Sequence, residues 1–247
     1  MEGNESPRYD SRGEERTVIY DEGGVAVAEA DAAWANDVVV LGMASCKHNT
    51  INLAKRIIDQ KIPGDFVECG VGGGGHPACM AYAIRKYGGE RRVHLFDSFM
   101  GLPQAGPDDD PFDQKTLGVN SDRSRGIPSG RLVATLEQVH NNVMKWVPGF
   151  ERYVYHQGWI QETAPVDARS IGQIALLRID VDLHDSTLPI MEHLYPLVVP
   201  GGYIISDDWG CETGPTPARL AVLKYIKEPP VVRLPDIKST VWWRKEA

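Results

Sequence analysis

The chain lacks any stretch of about 18 consecutive apolar residues, the minimum for a helix that crosses a bilayer, so no membrane span is expected. It also lacks a basic run interleaved with aromatics. Its 26 Lys and Arg against 34 Asp and Glu leave a formal net charge of -8, which argues against nucleic acid and anionic membrane as partners. Cysteines are few: Cys46, Cys69, Cys79 and Cys211, with no CxxC and no regular spacing. Buried free thiols in a reducing compartment are expected rather than disulfides. The first twenty residues, MEGNESPRYDSRGEERTVIY, have no apolar core of the kind a signal peptide carries. No internal repeat or low-complexity tract appears. A soluble, cytoplasmic chain is the expectation, and at 247 residues it can bury a core without disulfide or metal staples.

What is present is an alternation of short apolar runs with helical patterns. Residues 1–16 offer little to bury and read as an arm, and 26–44 as a partly helical cap. NTINLAKRIIDQKI (49–62) has helical spacing and stops at Pro63-Gly64. Strands are expected at DFVECGV, RVHLFD (92–97), RYVYHQG (152–158), QIALLRIDVD (173–182) and GGYIISDD (201–208). Helices are expected at HPACMAYAIRKYG, 131–143, 186–198 (with Pro189 in its first turn) and about 216–227. VVRL and STVWWRK close the chain as two further strands. Apolar strands that alternate with helices form a mostly parallel sheet covered on both faces. Residues 98–130 have no periodicity and follow the second strand, at the edge where ligands bind in such sheets. They read as a lid insertion.

The stretch DFVECGVGGGGH (65–76) holds Gly70-x-Gly72-x-x-Gly75, the spacing of the dinucleotide fingerprint. Glu68 stands two residues before the first glycine. An ionised carboxylate there repels a pyrophosphate and suits a cation. S-adenosylmethionine carries a sulfonium and an ammonium and no phosphate. Asp97, ending the second strand, can accept ribose hydroxyls, a device that NAD-binding folds share.

Downstream, RIDVDLHDST places Asp180 and Asp182 at the end of the fourth strand, and ISDDWG places Asp207 and Asp208 at the end of the fifth. Neighbouring parallel strands lie about 4.8 Å apart, so the four carboxylates converge on one edge. Such a cluster is costly unless a cation binds, protons are shared or the groups splay into water. All-oxygen ligands indicate a hard cation: Mg²⁺ first, with Mn²⁺ or Ca²⁺ as alternatives. The bland alternative is that these residues cap the helices near 186 and 212, although Asp185 and Ser186 are better placed for the first cap. His184 lies nearby as a candidate catalytic residue or a hydrogen-bonded structural one.

These stretches, with DSFMGLP, GWIQET, LYPLVVPGGYIISDDW and the terminal WWRK, resemble the macrocin O-methyltransferase family over roughly residues 50–245. That family comprises Mg²⁺-dependent sugar O-methyltransferases of macrolide and aminocoumarin biosynthesis. The resemblance implies a class I S-adenosylmethionine methyltransferase fold, Rossmann-like, with a seven-stranded sheet over residues 49–247 behind the arm and cap of residues 1–48. It implies Asp180, Asp207 and Asp208 as metal ligands and Asp182 as general base. Glu68, Gly70, Gly72, Asp97, Ser98, Gly158 and Trp159 would hold the cofactor, with Asp180 beside it and Met43 as a looser match. The implied acceptor is a glycoside or nucleotide sugar, and a homo-oligomer is expected. His184 stands where the family commonly has Tyr, and the loop after the first strand is richer in glycine than usual. An oxidoreductase or hydroxylase-like protein on the same fold, and a non-catalytic partner subunit, are the rival readings.

Overall fold

The computed structural model describes residues 29–120, 126–210, 215–234 and 239–246. The expected arm at 1–16 and Cys211 lie outside them. The apolar runs become parallel strands β1 (Asp65–Cys69), β2 (Val93–Asp97), β3 (Tyr153–Gln157), β4 (Ile174–Ile179) and β5 (Val198–Ser206). Two short strands, β6 (Val232–Arg233) and β7 (Val241–Arg244), pair antiparallel, and β7 joins β5. The order across the seven-stranded sheet is β3-β2-β1-β4-β5-β7-β6. The chain runs outward from β1 in one direction and from β4 in the other, so the crevice between their carboxyl ends is the switch point where α/β sheets bind ligands.

Successive residues of a strand face opposite ways, and both faces here are covered. Phe66, Leu95, Leu176 and Ile205 point into one core, with α2 (Ala44–Asp59), α3 (Gly75–Tyr87) and α5 (Leu136–Trp146). Val67, Phe96, Leu177 and Ile204 point into the other, with α6 (Ile160–Ile171), α7 (His184–His193) and α8 (Pro217–Tyr225). This two-sided burial explains why the strands read as unbroken apolar runs. Cys46, Cys69 and Cys79 are buried free thiols. Among the described residues no helix is long and apolar enough to cross a membrane.

Several elements depart from the sequence expectation. The cap contains α1 (Glu29–Asn36), and α2 starts at Ala44, five residues before its expected start. The polar residues Ser45, Lys47 and His48 in that extra turn are buried, which hides them from a hydrophobic count. Buried Lys47 donates to the Ala35 and Val38 carbonyls, both at 2.6 Å, and so satisfies the end of α1. Helix α5 begins five residues later than expected, where Thr135 and Gln138 form a reciprocal capping box. Helix α6 was not expected, and Pro165 sits inside it. Pro189 is also inside α7 rather than in its first turn. Proline deprives a carbonyl one turn back of its partner, and that carbonyl, Asp185 O, instead accepts from Gln161 Nε2 at 3.2 Å. The segment 98–130 is not structureless: it holds α4 (Pro111–Leu117) and the bridges Pro103–Pro128 and Ala105–Val119.

Candidate functional site

At the switch point lies a cavity of ≈ 270 Å³. The end of β1 and its loop contribute Glu68, Gly70 and Gly72, and the end of β2 contributes Asp97 and Ser98. Asp180, Asp182, Asp207 and Asp208 enter from the ends of β4 and β5, and Trp159 from the turn after β3. Three candidates lie off the lining. Met43 precedes α2 and is 53% exposed, although its neighbours Val40 and Leu41 do line the cavity. Gly158 serves through its backbone, its N–H donating to the Asp97 carbonyl at 2.9 Å. The buried ring of His184 faces Asp185 at 2.9 Å instead of the cavity, and its backbone N–H donates to Asp109 from the 98–130 segment.

The glycine loop is built around Asp97. Its Oδ2 accepts from Val71 N at 2.8 Å and its Oδ1 from Phe99 N at 2.7 Å. Burial holds this carboxyl above its ordinary range, with those backbone hydrogen bonds opposing the rise. Gly70, at φ +79°, has a packing reason to be glycine. A Cβ there would stand 1.8 Å from the Asp180 carbonyl oxygen, so the residue lets the ends of β1 and β4 close up and carry Asp180 to the crevice. Gly74, at φ +88°, ends the loop in the left-handed region with Val139 and Val143 of α5 against it. The extra glycine thus makes room for a helix.

Beneath the carboxylates lies a buried cation that the sequence reading missed. Arg178, fully buried in β4, donates from Nε to Glu68 Oε1 at 2.9 Å and from Nη2 to Asp180 Oδ2 at 2.8 Å and Asp207 Oδ1 at 3.0 Å. The only signal was a charged residue inside the otherwise apolar run IALLRI. Treating Glu68 as a lone negative charge therefore overstated its repulsion of a phosphate, because one of its oxygens is neutralised. Its other oxygen, Oε2, is buried and has no hydrogen-bond partner. Burial pushes Glu68 well above the ordinary carboxylate range against the pull of Arg178.

Asp180, Asp207 and Asp208 each offer a ligand atom, all within 4.8 Å of one another. Each spends one oxygen on a protein donor: Asp180 Oδ2 and Asp207 Oδ1 on Arg178, and Asp208 Oδ2 on the Asp182 backbone N–H at 2.9 Å. Thr240 also donates to Asp207 Oδ1 at 2.9 Å. None of the four aspartates caps a helix. The start of α7 is served by Asp109, and α8 is capped by Thr216. Burial, then the charge of Asp182, push Asp208 up to about 8. Burial also raises Asp180 well above normal, with Arg178 opposing and Asp207 and Asp208 adding to the rise. One arginine does not neutralise this set, and the oxygen-only donors match a hard divalent cation.

The family described as macrocin-O-methyltransferase (TylF) matches residues 38–245. The chain belongs to that family. A relative from Streptomyces olivaceus, an 8-demethyl-8-(2,3-dimethoxy-alpha-L-rhamnosyl)-tetracenomycin-C 4'-O-methyltransferase, is 32% identical over 198 residues, covering 77% of this chain and 69% of its own. The demethyldecarbamoylnovobiocin O-methyltransferase of Streptomyces niveus is 32% identical over 178 residues, or 71% of this chain and 63% of its own, so the match spans less than two thirds of that relative. The solved structure of the O-methyltransferase NovP superimposes with a TM-score of 0.68 at 28% identity, covering 82% of this chain and 80% of that one. The two chains thus share their fold over this alignment.

Proposed function

We propose that the chain methylates a hydroxyl of a sugar, nucleotide-linked or carried on a natural product, using S-adenosylmethionine and a bound Mg²⁺. The observation that carries this reading is the set of three aspartates, each with one oxygen not spent on protein, beside a glycine loop whose Glu68 keeps a buried, unpartnered oxygen. Both features fit the groups they would receive. Glu68 Oε2 suits the cofactor's ammonium, and Asp97 lies where β2 meets the cavity, the usual place for a ribose-binding carboxylate. Asp180, Asp207 and Asp208 would hold the cation. The names of the relatives, which specify methyl transfer to rhamnosyl and novobiocin-type substrates, support a sugar as acceptor.

When bound, S-adenosylmethionine supplies an electrophilic methyl group, and Mg²⁺ lowers the pKa of a hydroxyl it contacts. The rest falls to the protein. Asp182 is held at φ +61° with its N–H fixed to Asp208. Asp182 lines the cavity beside the three candidate metal ligands, where its carboxylate would take the acceptor hydroxyl proton. Gly101, Leu102 and Pro103 from the 98–130 segment border the cavity. As a lid they would exclude water during alignment of the reacting groups. Differential scanning with S-adenosylhomocysteine and with NAD separates this reading from the oxidoreductase one. The methyltransferase should show a rise in Tm with the first and none with the second; the reverse pattern would overturn the proposal.

A further inference from the structure

The residue directly after the glycine run, His76, lines the cavity at 5% exposure and belongs to the first turn of α3. Its Nδ1 lies 3.1 Å from Thr50 Oγ1. The Thr50 hydroxyl proton is committed to the Cys46 carbonyl at 3.0 Å, a back-bond within α2. A hydroxyl has one proton, so Thr50 Oγ1 accepts, and Nδ1 is the protonated nitrogen of His76. That leaves Nε2 as a bare lone pair, buried and without a hydrogen-bond partner. Burial, with Arg178 and then Lys47 adding to the effect, holds the imidazole well below its ordinary pKa, so the ring is neutral.

Three residues of the cavity lining carry a buried acceptor that no protein donor satisfies, Glu68 Oε2, His76 Nε2 and Gln161 Oε1, and the first two flank the glycine loop. An unsatisfied buried acceptor is costly, and the pair on Glu68 and His76, at the two ends of the glycine loop in the cavity lining, calls for a ligand group rich in N–H. A phosphate or carboxylate brings only acceptors and meets neither need. An ammonium brings three donors and a charge that suits the carboxylate.

We propose that His76 Nε2 is a second acceptor, beside Glu68 Oε2, for the α-ammonium of the cofactor's amino-acid end. This rests on the S-adenosylmethionine reading above. His76 is then a cofactor-binding residue, and its specific effect is to favour ligands with a free amine over those without one. Gly74 and the helix start it caps set the position of His76, which gives the glycine-rich loop a binding consequence as well as a packing one.

Calorimetric titration tests this with two probes, S-adenosylhomocysteine and its deamino analogue. His76→Asn keeps an amide donor where Nδ1–H stood but loses the distal acceptor, and His76→Phe keeps the ring volume without either nitrogen. Both variants should bind S-adenosylhomocysteine about tenfold or more weakly, the effect of losing one hydrogen bond to a charged group, while their affinity for the deamino analogue stays unchanged. His76→Gln, whose amide oxygen reaches towards the Nε2 position, should recover part of the loss. Long-range ¹⁵N–¹H correlation spectra of the wild-type protein should show the Nδ1-protonated tautomer. The inference is overturned if both probes weaken equally, which marks a structural role, if neither weakens, which marks a site filled by water, or if the spectra show Nε2–H. Failure of wild-type protein to bind S-adenosylhomocysteine at all would instead defeat the underlying cofactor reading.

Discussion

Glu68 and Arg178 stand opposite each other in the register of β1 and β4, each 1% exposed, with Nε donating to Oε1 at 2.9 Å. This pair anchors the site, because the same guanidinium reaches Asp180 and Asp207 through Nη2. One buried cation thus holds the first strand's carboxylate and two of the candidate metal ligands in a single network.

Arg178→Met should therefore act on stability as well as function. It leaves Glu68 buried beside Asp180 and Asp207 with no counter-charge, and breaking a buried pair from one side costs about 3–5 kcal/mol. Urea denaturation reads the loss. A change below about 1 kcal/mol would show that the network is wetter than its burial indicates.

Gly70→Ala places a methyl group 1.8 Å from the Asp180 carbonyl at a residue with φ +79°. Overpacking and left-handed strain together should cost about 3 kcal/mol. Gly72→Ala, at φ +48° with nothing within 4 Å of the new Cβ, should cost less than half as much. Equal melting temperatures for the two variants would contradict this.

The carboxylate cluster makes stability depend on both pH and cation. Asp208 is pushed up to about 8, and Asp180 and Asp182 are raised too. For a group whose folded pKa exceeds its unfolded one, the stability contribution is present below the unfolded pKa and is lost as pH rises through the folded value. In EDTA, Tm should fall as pH rises from about 4 to about 8. Added Mg²⁺ should offset that fall, so the Tm gain from Mg²⁺ grows with pH. Calorimetry in buffers of different ionisation enthalpy should show proton release on Mg²⁺ binding. A Tm gain independent of pH would argue against cation binding at these aspartates.

Asp31 has the opposite sign. Burial raises its pKa, but hydrogen bonds from Lys86, Tyr87 and Tyr82 outweigh this and hold it below the ordinary 3.8. Its contribution is present above about pH 4 and lost as pH falls through the folded value. Asp31→Asn should cost about 2 kcal/mol at pH 7, loosen α1, whose Trp34 stacks on Tyr82 at 3.9 Å, and flatten the acid limb of the stability curve. Retention of the wild-type acid limb would rule out this account.

Strand identity was legible because two-sided burial writes itself as apolar runs, and the aspartates were legible because they end those runs. Helix α6 was hidden by Pro165, and the start of α2 by buried polar residues whose partners lie elsewhere in the chain. Arg178 and His76 escaped for a related reason. A single arginine in a strand and a single histidine after glycines have no periodicity. Their meaning depends on what the register and the neighbouring helix bring alongside, which is Glu68 for the one and Thr50 for the other.

The general-base assignment is sharp at one residue. Asp182→Asn keeps the backbone N–H that Asp208 accepts and removes only the base, so kcat should fall about 10²–10⁴-fold with the affinity for S-adenosylhomocysteine unchanged. A loss below about tenfold would assign the proton to another group.

The most direct measurement is transfer of a labelled methyl group from S-adenosylmethionine to a panel of glycosides and nucleotide-linked sugars, with the protein treated with EDTA and then resupplied with Mg²⁺. At least one sugar should acquire an O-linked label, with the rate lost in EDTA and restored by Mg²⁺. Full transfer in EDTA would contradict the metal assignment. Label on no sugar in the panel would contradict the proposed function itself.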